Sequence, residues 1–211
     1  MGRPRVQEQA SPDAVNAAER RTVARILKVN HAGEYGAIRI YRAQAWVARR
    51  LYPDVFPFLE QTLQHEIRHH ALFQTAMRAR GARPCRVMSL WGNGGLVLGF
   101  LTALMGRQGI WICTAAVEAA VHRHLDDQLA FLRGRDSELA ALIHSIQDEE
   151  LGHLDHARAR IMTKAAWAGG LRAMITLCTD AVIWLSTWGE SSRMAQDLRA
   201  ARASSAAPQM S

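Results

Sequence analysis

The sequence predicts an all-α protein, with four helices packed as a bundle and two additional apolar helices. Apolar residues recur at helical spacing through most of the chain, and no strand-like alternation of useful length is present. The pattern Glu-x-x-His occurs twice, and each time a lone glutamate on a predicted helix stands 32 residues before the glutamate of the pattern. This repeated spacing indicates one helical hairpin used twice.

The two patterns supply a consistent set of metal-binding side chains. Residues i and i+3 share one face of an α-helix, so each Glu-x-x-His presents a carboxylate and an imidazole to a single point. Four carboxylates and two histidines on four helices are the ligand set of bundles that bind two iron or manganese ions in their core. We therefore predict six metal ligands, which are Glu34, Glu66, His69, Glu118, Glu150 and His153. Glu66 and Glu150 are the predicted bridging residues.

Helix length supports placing these ligands at one level. At about 1.5 Å per residue, the chain rises roughly 24 Å from Glu34 to Arg50 and returns about 20 Å from Pro53 to Glu66. In the second hairpin the two segments that flank the turn at residues 133–135 are each about 21 Å long. Both hairpins thus bring their lone glutamate close to their Glu-x-x-His.

Hard carboxylate ligands favour iron or manganese, and the lack of a cysteine near any ligand argues against structural zinc or an iron–sulfur cluster. We predict two iron ions per chain. A carboxylate-bridged iron pair can react with O2, which amino-acid side chains cannot activate by themselves.

Composition restricts the class of protein. The chain has 211 residues, 49% of them hydrophobic, which suits one domain with a packed core. The net charge is +7, but no dense basic run with interleaved aromatic residues indicates nucleic-acid binding. Three cysteines without a Cys-x-x-Cys pair are typical of reduced cytosolic thiols, and the first eleven residues contain no secretory signal.

We predict a mobile N-terminal tail over residues 1–12, a helical domain over 13–195 and a polar C-terminal tail over 196–211. About six helices are expected within the domain. Their predicted ranges are 13–50, 58–80, 87–105, a helix through Glu118 to 132, 136–166, and 171–188 after a break at Gly169-Gly170.

Two glycines interrupt the first helix on either side of Glu34. Gly33 and Gly36 each cost roughly 1 kcal/mol of helix stability relative to alanine. We expect either a neighbouring helix or a substrate near Glu34 to need that space.

The two apolar helices do not resemble membrane spans. Residues 94–105 are too few for a bilayer, which needs about 20 apolar residues, and Arg172 and Asp180 interrupt the second. Tryptophans flank both segments, as in helices that lie at the boundary of water and lipid. Additional core helices and a homo-oligomer interface are the alternatives.

Four segments together resemble the Coq7-type hydroxylases of ubiquinone biosynthesis. They are Asn30-His31-Ala32-Gly33-Glu34-Tyr35-Gly36-Ala37-Ile38-Arg39-Ile40-Tyr41, Glu66-Ile67-Arg68-His69, Cys113-Thr114-Ala115-Ala116-Val117-Glu118 and Asp148-Glu149-Glu150-Leu151-Gly152-His153. The resemblance implies a ferritin-like di-iron monooxygenase that uses O2 to hydroxylate the last unsubstituted ring carbon of 3-demethoxyubiquinol, giving demethylubiquinol. It also implies that all six predicted ligands bind iron.

The same resemblance implies a peripheral protein on the cytoplasmic face of the cell membrane. A polyprenyl quinol is the expected substrate, and other ubiquinone-biosynthesis proteins or a second copy of the chain are candidate partners. The electron donor is the quinol, NADH or a reductase. No Gly-x-Gly-x-x-Gly fingerprint is present, so a nicotinamide-binding domain is not expected within the chain. The family commonly has His-Tyr where this chain has His124-Leu125, so His124 is a candidate neighbour of the metal ligands.

Other histidines near the ligands have weaker claims. His31 and His122 lie on the faces of Glu34 and Glu118, whereas His65, His70 and His156 point away from the ligand faces. Glu149 is expected to be solvated.

Two other functions use the same features. One is a different ferritin-like di-iron oxidase or hydroxylase, such as a ferroxidase, a peroxide reductase or a tRNA-base hydroxylase. The other is a helical scaffold that binds quinone or lipid, although four buried carboxylates without a metal would be costly.

Overall fold

The computed structural model describes residues 12–163, 166–186 and 189–206. Within these ranges every regular element is an α-helix and no strand is present, which confirms the all-α class. The seven helices are α1 (Pro12–Leu51), α2 (Phe56–Ala79), α3 (Met88–Leu104), α4 (Gly106–Leu132), α5 (Ser137–Arg160), α6 (Ala166–Ser186) and α7 (Glu190–Ala206).

Asp136 joins the end of one helix to the start of another. Its Oδ1 accepts the backbone N–H of Leu139 at 3.0 Å and so caps α5. The same carboxylate accepts two hydrogen bonds from the Arg80 guanidinium, at 2.7 and 2.9 Å, where α2 ends. A two-pronged pair of this kind fixes direction as well as distance, so it aligns α2 with α5.

Helices α1, α2, α4 and α5 contribute to two separate hydrophobic clusters. The first contains Ile26 and Leu27 of α1, Phe73 and Met77 of α2, Leu125 and Leu132 of α4, and Leu139 and Ile143 of α5. The second contains Tyr41 and Ala48 of α1, Leu59 of α2, Ile110 and Ala115 of α4, and Leu154 and Ala157 of α5. All six predicted ligands lie between the two clusters along the sequence of each helix.

The order of the clusters gives the direction of each helix. The chain passes from the first cluster to the second in α1 and α5, and from the second to the first in α2 and α4. Each hairpin is therefore antiparallel, and the predicted ligands occupy a common middle layer.

Helix α3 packs closely against α1 through glycines. A Cβ added at Gly36 would lie 2.8 Å from the Trp91 ring, and one added at Gly95 would meet the backbone of Gly36 at 2.5 Å. Gly99 likewise faces the backbone of Ile40. The neighbouring helix therefore explains Gly36. Gly33 is different, because a Cβ there would meet nothing within 4 Å.

Helix α6 covers part of α1 and α4 through Ala168, Leu171 and Ile175, which pack on Ile112 and Val117. Both α3 and α6 also leave large apolar side chains exposed. These include Leu96, Val97, Phe100, Leu101 and Leu104 on α3, and Trp167, Met174, Leu177 and Trp184 on α6. No helix in the part of the chain that the structure describes is both long and apolar enough to cross a membrane.

The predicted end of α5 near residue 166 is wrong, since the helix ends at Arg160. Gln108 at the start of α4 supplies the reason. Its amide donates to the carbonyl oxygen of Arg160 at 3.0 Å and accepts from the N–H of Met162 at 2.9 Å. The backbone groups released at the helix end are thus satisfied. The predicted break at Gly169 and Gly170 is also wrong, because both residues lie inside α6.

Helix α7 was not among the predicted helices. Its Met194 and Leu198 are buried in the first hydrophobic cluster. Asp197 accepts hydrogen bonds from Thr22 and Arg25 of α1, both at 2.8 Å. The predicted boundary at residue 195 lies inside this helix. The proposed N-terminal tail, apart from Pro12, and residues 207–211 of the C-terminal tail lie outside the described residues.

Candidate metal centre

The structure brings all six predicted ligands together in one buried layer. Their side chains form two groups of four with ligand atoms within 4.8 Å of one another. One group is Glu34, Glu66, His69 and Glu150, and the other is Glu66, Glu118, Glu150 and His153. Each of the six residues is at most 7% exposed. Glu66 and Glu150 belong to both groups, which is the arrangement that the bridging prediction requires.

Burial and mutual repulsion keep these carboxyl groups from ionising together. Burial and the nearby Glu150 raise the pKa of Glu34 to about 7. The same two causes raise the pKa of Glu66 and that of Glu118 well above the ordinary value. Burial also acts against ionisation of Glu150, but contacts with Glu118, His153 and His69 outweigh it and lower the pKa. The layer holds more potential negative charge than it can stabilise without cations.

Unpaired atoms in the layer provide a test of whether metal ions fit. His69 Nδ1, His153 Nδ1, Glu66 Oε1 and Glu150 Oε1 are buried and have no hydrogen-bond partner. His69 Nδ1 lies 3.0 Å from Glu150 Oε1, and His153 Nδ1 lies 3.7 to 3.9 Å from carboxylate oxygens. Buried polar atoms without partners are costly, and a cation among them would satisfy all four. The residues therefore fit a pair of metal ions.

Tyr41 is a further member of the layer. Its hydroxyl donates a short hydrogen bond to Glu118, and the side chain is 1% exposed. Burial and the adjacent Glu118 raise the pKa of this phenol well above its ordinary value, so it stays protonated and remains a donor. Sequence reasoning left Tyr41 without a role. Its position seven residues, or two helical turns, after Glu34 was the available signal.

The outward nitrogens of the two histidines have different partners. His69 Nε2 lies 3.2 Å from Glu149, which also pairs with Arg68. His153 Nε2 lies 3.0 Å from His65 Nδ1. The expectation that Glu149 is only solvated is wrong, since it contacts His69 and Arg68. His65, which we expected to point away from the ligand faces, contacts His153 of α5. The contacts cross from α2 to α5, and spacing along one helix does not reveal them.

The remaining histidines lie outside the cluster of six. The His31 ring packs against that of His70 in a tilted arrangement, with ring centroids 4.1 Å apart, and His156 stacks on Phe58 at 4.2 Å. His122 faces Asp126 at 4.0 Å. His124 is half-buried at the wall of the cavity described next.

A cavity of about 570 Å³ opens onto one side of the layer. It lies among α1, α3, α4 and α6 and reaches all four glutamates, but neither metal-site histidine is in its lining. Gly33 lines the cavity, and a Cβ added at this residue would have no neighbouring atom within 4 Å. The lining is largely apolar. Its polar side chains, apart from the glutamates, are Asn30, Asn93, His124, Cys178 and Thr179.

Three details of the cavity bear on ligand binding. Asn30 is held by a reciprocal amide pair with Gln128, with distances of 2.7 and 2.9 Å. Leu125 lines the cavity at the position where the resembled family commonly has tyrosine. Val97, Leu101 and Met174 line the cavity and are also more than half exposed, so its rim joins the apolar outer surface of α3 and α6.

These features define a class: helical proteins with buried carboxylate and histidine groups that could hold metal ions beside an apolar cavity. Comparison with known proteins is more specific. The chain belongs to the family described as Ubiquinone biosynthesis protein COQ7, which it matches over residues 21–186. This confirms the resemblance seen in the sequence.

Individual relatives agree with the family. A mouse (Mus musculus) protein named NADPH-dependent 3-demethoxyubiquinone 3-hydroxylase, mitochondrial, is 37% identical over 178 residues, covering 82% of this chain and 80% of the relative. A Rhodospirillum rubrum protein named 3-demethoxyubiquinol 3-hydroxylase is 34% identical over 185 residues, covering 88% and 85%. A Saccharomyces cerevisiae protein named 5-demethoxyubiquinone hydroxylase, mitochondrial, is 34% identical over 148 residues, covering 63% and 64%.

Proposed function

We propose that this protein is a di-iron monooxygenase of ubiquinone biosynthesis. It hydroxylates the last unsubstituted ring carbon of 3-demethoxyubiquinol with O2 and forms demethylubiquinol. The observation that carries the proposal is a buried set of four glutamates and two histidines that opens, through its glutamates only, into an apolar cavity. Membership of the COQ7 family supports the choice of substrate.

The proposed architecture is a ferritin-like four-helix bundle made of α1, α2, α4 and α5, with α3 and α6 as the additional apolar helices. Glu34, Glu66, His69 and Glu150 would hold one iron, and Glu66, Glu118, Glu150 and His153 the other. Bound iron would supply the electrons and orbitals that O2 activation needs.

The chain's own residues prepare the reaction. The apolar lining of the cavity excludes water from the quinol ring and strengthens electrostatic interactions there. The clamp with Gln128 holds the Asn30 side chain in one orientation at the wall, where it can direct a ring oxygen. The Tyr41 hydroxyl stays protonated and donates its hydrogen bond to Glu118, which holds the Glu118 carboxylate in place.

The exposed apolar side chains of α3 and α6 support docking on the surface of a membrane. A polyprenyl tail stays in lipid, so a protein that acts on the quinol ring must bring the mouth of its cavity to the lipid surface. Val97, Leu101 and Met174 stand at this mouth and are exposed. We place the protein peripherally on the cytoplasmic face of the cell membrane, with other ubiquinone-biosynthesis proteins or a second copy of the chain as candidate partners.

The electron donor is one of three chemical classes. The substrate quinol, a nicotinamide nucleotide and a separate reductase each fit the reaction. The mouse relative is named as NADPH-dependent, which supports a nicotinamide nucleotide. The sequence has no Gly-x-Gly-x-x-Gly fingerprint, so a separate dinucleotide-binding domain is not expected within it.

The test is iron loading followed by product analysis. The protein is loaded with Fe(II) without oxygen and mixed with short-tailed 3-demethoxyubiquinol. The mixture is then reduced and exposed to ¹⁸O2. Two irons per chain and one ¹⁸O in the ring of demethylubiquinol are expected. Oxidation of Fe(II) without ring hydroxylation would indicate another ferritin-like oxidase. Quinol binding without any metal would indicate a scaffold.

A further inference from the structure

The two metal-site histidines are supported from outside by chemically different groups. On one side, the outward nitrogen of His69 meets the carboxylate of Glu149, which is paired with the Arg68 guanidinium. On the other side, the outward nitrogen of His153 meets the imidazole of His65. All five residues belong to α2 and α5, so this part of the site is built by one pair of helices.

The direction in which each ring nitrogen of His69 and His153 points determines which nitrogen would carry hydrogen once a metal ion is bound. In both histidines Nδ1 faces the carboxylates of the layer and has no hydrogen-bond partner, whereas Nε2 faces outward. A nitrogen that binds a metal carries no hydrogen, so Nε2 is the N–H donor in each ring. His69 therefore donates to Glu149. His153 donates to Nδ1 of His65, which must then carry its own hydrogen on Nε2 and cannot donate from Nδ1 to Glu149, 3.4 Å away.

A carboxylate and an imidazole differ as acceptors. A carboxylate that accepts the N–H of a metal-bound histidine fixes the ring orientation and makes the other nitrogen a stronger metal ligand. An anionic acceptor also forms a stronger hydrogen bond than a neutral one. Glu149 should accordingly strengthen the His69 side of the centre more than His65 strengthens the His153 side.

We propose that Glu149 and His65 are positioning residues that make the two metal sites unequal, with the tighter site at His69. This inference rests on the metal centre of the proposed function. It predicts that the site of Glu34, Glu66, His69 and Glu150 fills first. The site of Glu66, Glu118, Glu150 and His153 then fills at a higher metal concentration.

The experiment is an anaerobic titration of the metal-free protein with Co(II), followed by visible absorption and calorimetry. Two binding steps of different affinity are expected. Glu34→Ala and Glu118→Ala assign the steps, because each residue belongs to one group only. Glu149→Gln should weaken the tighter step by about 10- to 100-fold and leave the weaker step in place, as expected for loss of a partner that orients a ligand.

A variant of His65 tests the support of the second metal-site histidine, His153. His65→Phe keeps a ring but removes the acceptor, so it should weaken only the step assigned to His153. Glu149→Asp should recover part of the affinity that Glu149→Gln loses. Asp148→Asn and His144→Phe are matched controls, because Asp148 and His144 form an exposed pair on the same helix. Both should titrate like the wild type.

A second readout uses ⁵⁷Fe(II) and Mössbauer spectroscopy. Glu149→Gln should change the signal of one iron and leave that of the other. Equal weakening of both steps, or no weakening in either variant, would overturn the proposal while leaving the metal centre intact. A wild-type protein that binds fewer than two metal ions would instead overturn the proposed centre itself.

Discussion

The layer formed by the six predicted ligands has two unlike faces. Toward α2 and α5 it presents histidines whose outward nitrogens meet Glu149 and His65. Toward α3 and α6 it presents glutamates that open directly into an apolar cavity. The two faces differ in the side chains that they present, histidines on one and glutamates on the other, although both hairpins carry the same ligand spacing. They also differ in what is packed outside them: hydrogen-bonding groups on one face and apolar helices on the other.

This difference separates two tasks that many active sites combine. Under the proposed function, the polar face would hold the metal ligands in a fixed orientation, and the apolar face would leave room for the substrate. Substitutions on one face should therefore affect metal binding, and substitutions on the other should affect turnover or membrane binding while the metals stay bound.

The largest expected effect comes from a residue shared by both metal groups. Glu150→Ala removes a ligand from each group, so both irons and all hydroxylase activity should be lost. Glu34→Ala removes a ligand from one group and should leave one iron bound. Iron analysis after anaerobic loading measures both. Full activity of metal-free Glu150→Ala protein would contradict the assignment.

Filling the cavity should be the next most severe change. Gly33 faces the cavity with open space, so Gly33→Leu should fit the helix while occupying the position of the quinol ring. We expect two irons to remain bound and kcat/KM to fall about 100-fold, because small displacements of a substrate cost that much. Gly33→Ala is the graded control and should have a smaller effect. A loss of iron in Gly33→Leu would show that the two faces are not independent.

The outer surface of the apolar face should affect membrane binding alone. Phe100 and Leu104 are exposed on α3 and do not line the cavity. Replacing both with glutamate should weaken binding to lipid vesicles about 10-fold or more. The variant loses apolar area that would be buried in the lipid, and its new negative charges are repelled by anionic headgroups. Sedimentation with vesicles measures this, and a short-tailed soluble quinol should still be hydroxylated. Leu72→Glu on α2 is the control. Equal loss of binding in that variant would argue against a docking face on α3.

The smallest expected effect is a pH dependence of folding stability. His31 is 3% exposed, and neither of its ring nitrogens has a hydrogen-bond partner. Its ring packs at a tilt against His70, whose pKa is also lowered by burial. Burial, with a smaller contribution from His70, lowers the pKa of His31 to about 4. Because the unfolded chain takes up this proton first, the stabilising contribution is complete above about pH 6.5 and is lost as the pH falls towards 4.

Urea unfolding at pH 8 and pH 5 measures that contribution. Relative to His31→Leu, the wild type should lose about 2 kcal/mol of unfolding free energy between these pH values. His144→Leu, at an exposed histidine, should follow the wild type. An identical pH dependence in the wild type and His31→Leu would contradict the interpretation.

The sequence predicted the centre because its signals are local and repeated. Glu66 with His69 and Glu150 with His153 lie one turn apart, and the 32-residue spacing places Glu34 and Glu118 at the same level. Helix geometry alone turns such spacings into shared faces. The structure brings together all six residues that this reasoning selected.

The failures have a common physical cause, which is contact between helices distant in sequence. Glu149 reaches His69 across the α2–α5 interface, and Gln108 ends α5 from the start of α4. Helix α7 was missed because its composition is polar and rich in alanine. Its buried residues Met194 and Leu198, about one turn apart, pack into the core together with the partly buried Ala201.

The four glutamates around the two metal groups also determine the charge of the molecule's interior. When all are ionised they contribute four negative charges, which two divalent ions would neutralise. A neutral centre is far less costly to bury than a charged one. If iron held by these residues were oxidised, each electron lost would add one positive charge to this buried layer, and uptake of an anion or release of a proton would offset it. Electron transfer at such a centre would therefore be coupled to the movement of an ion, either a proton that leaves or an anion that enters.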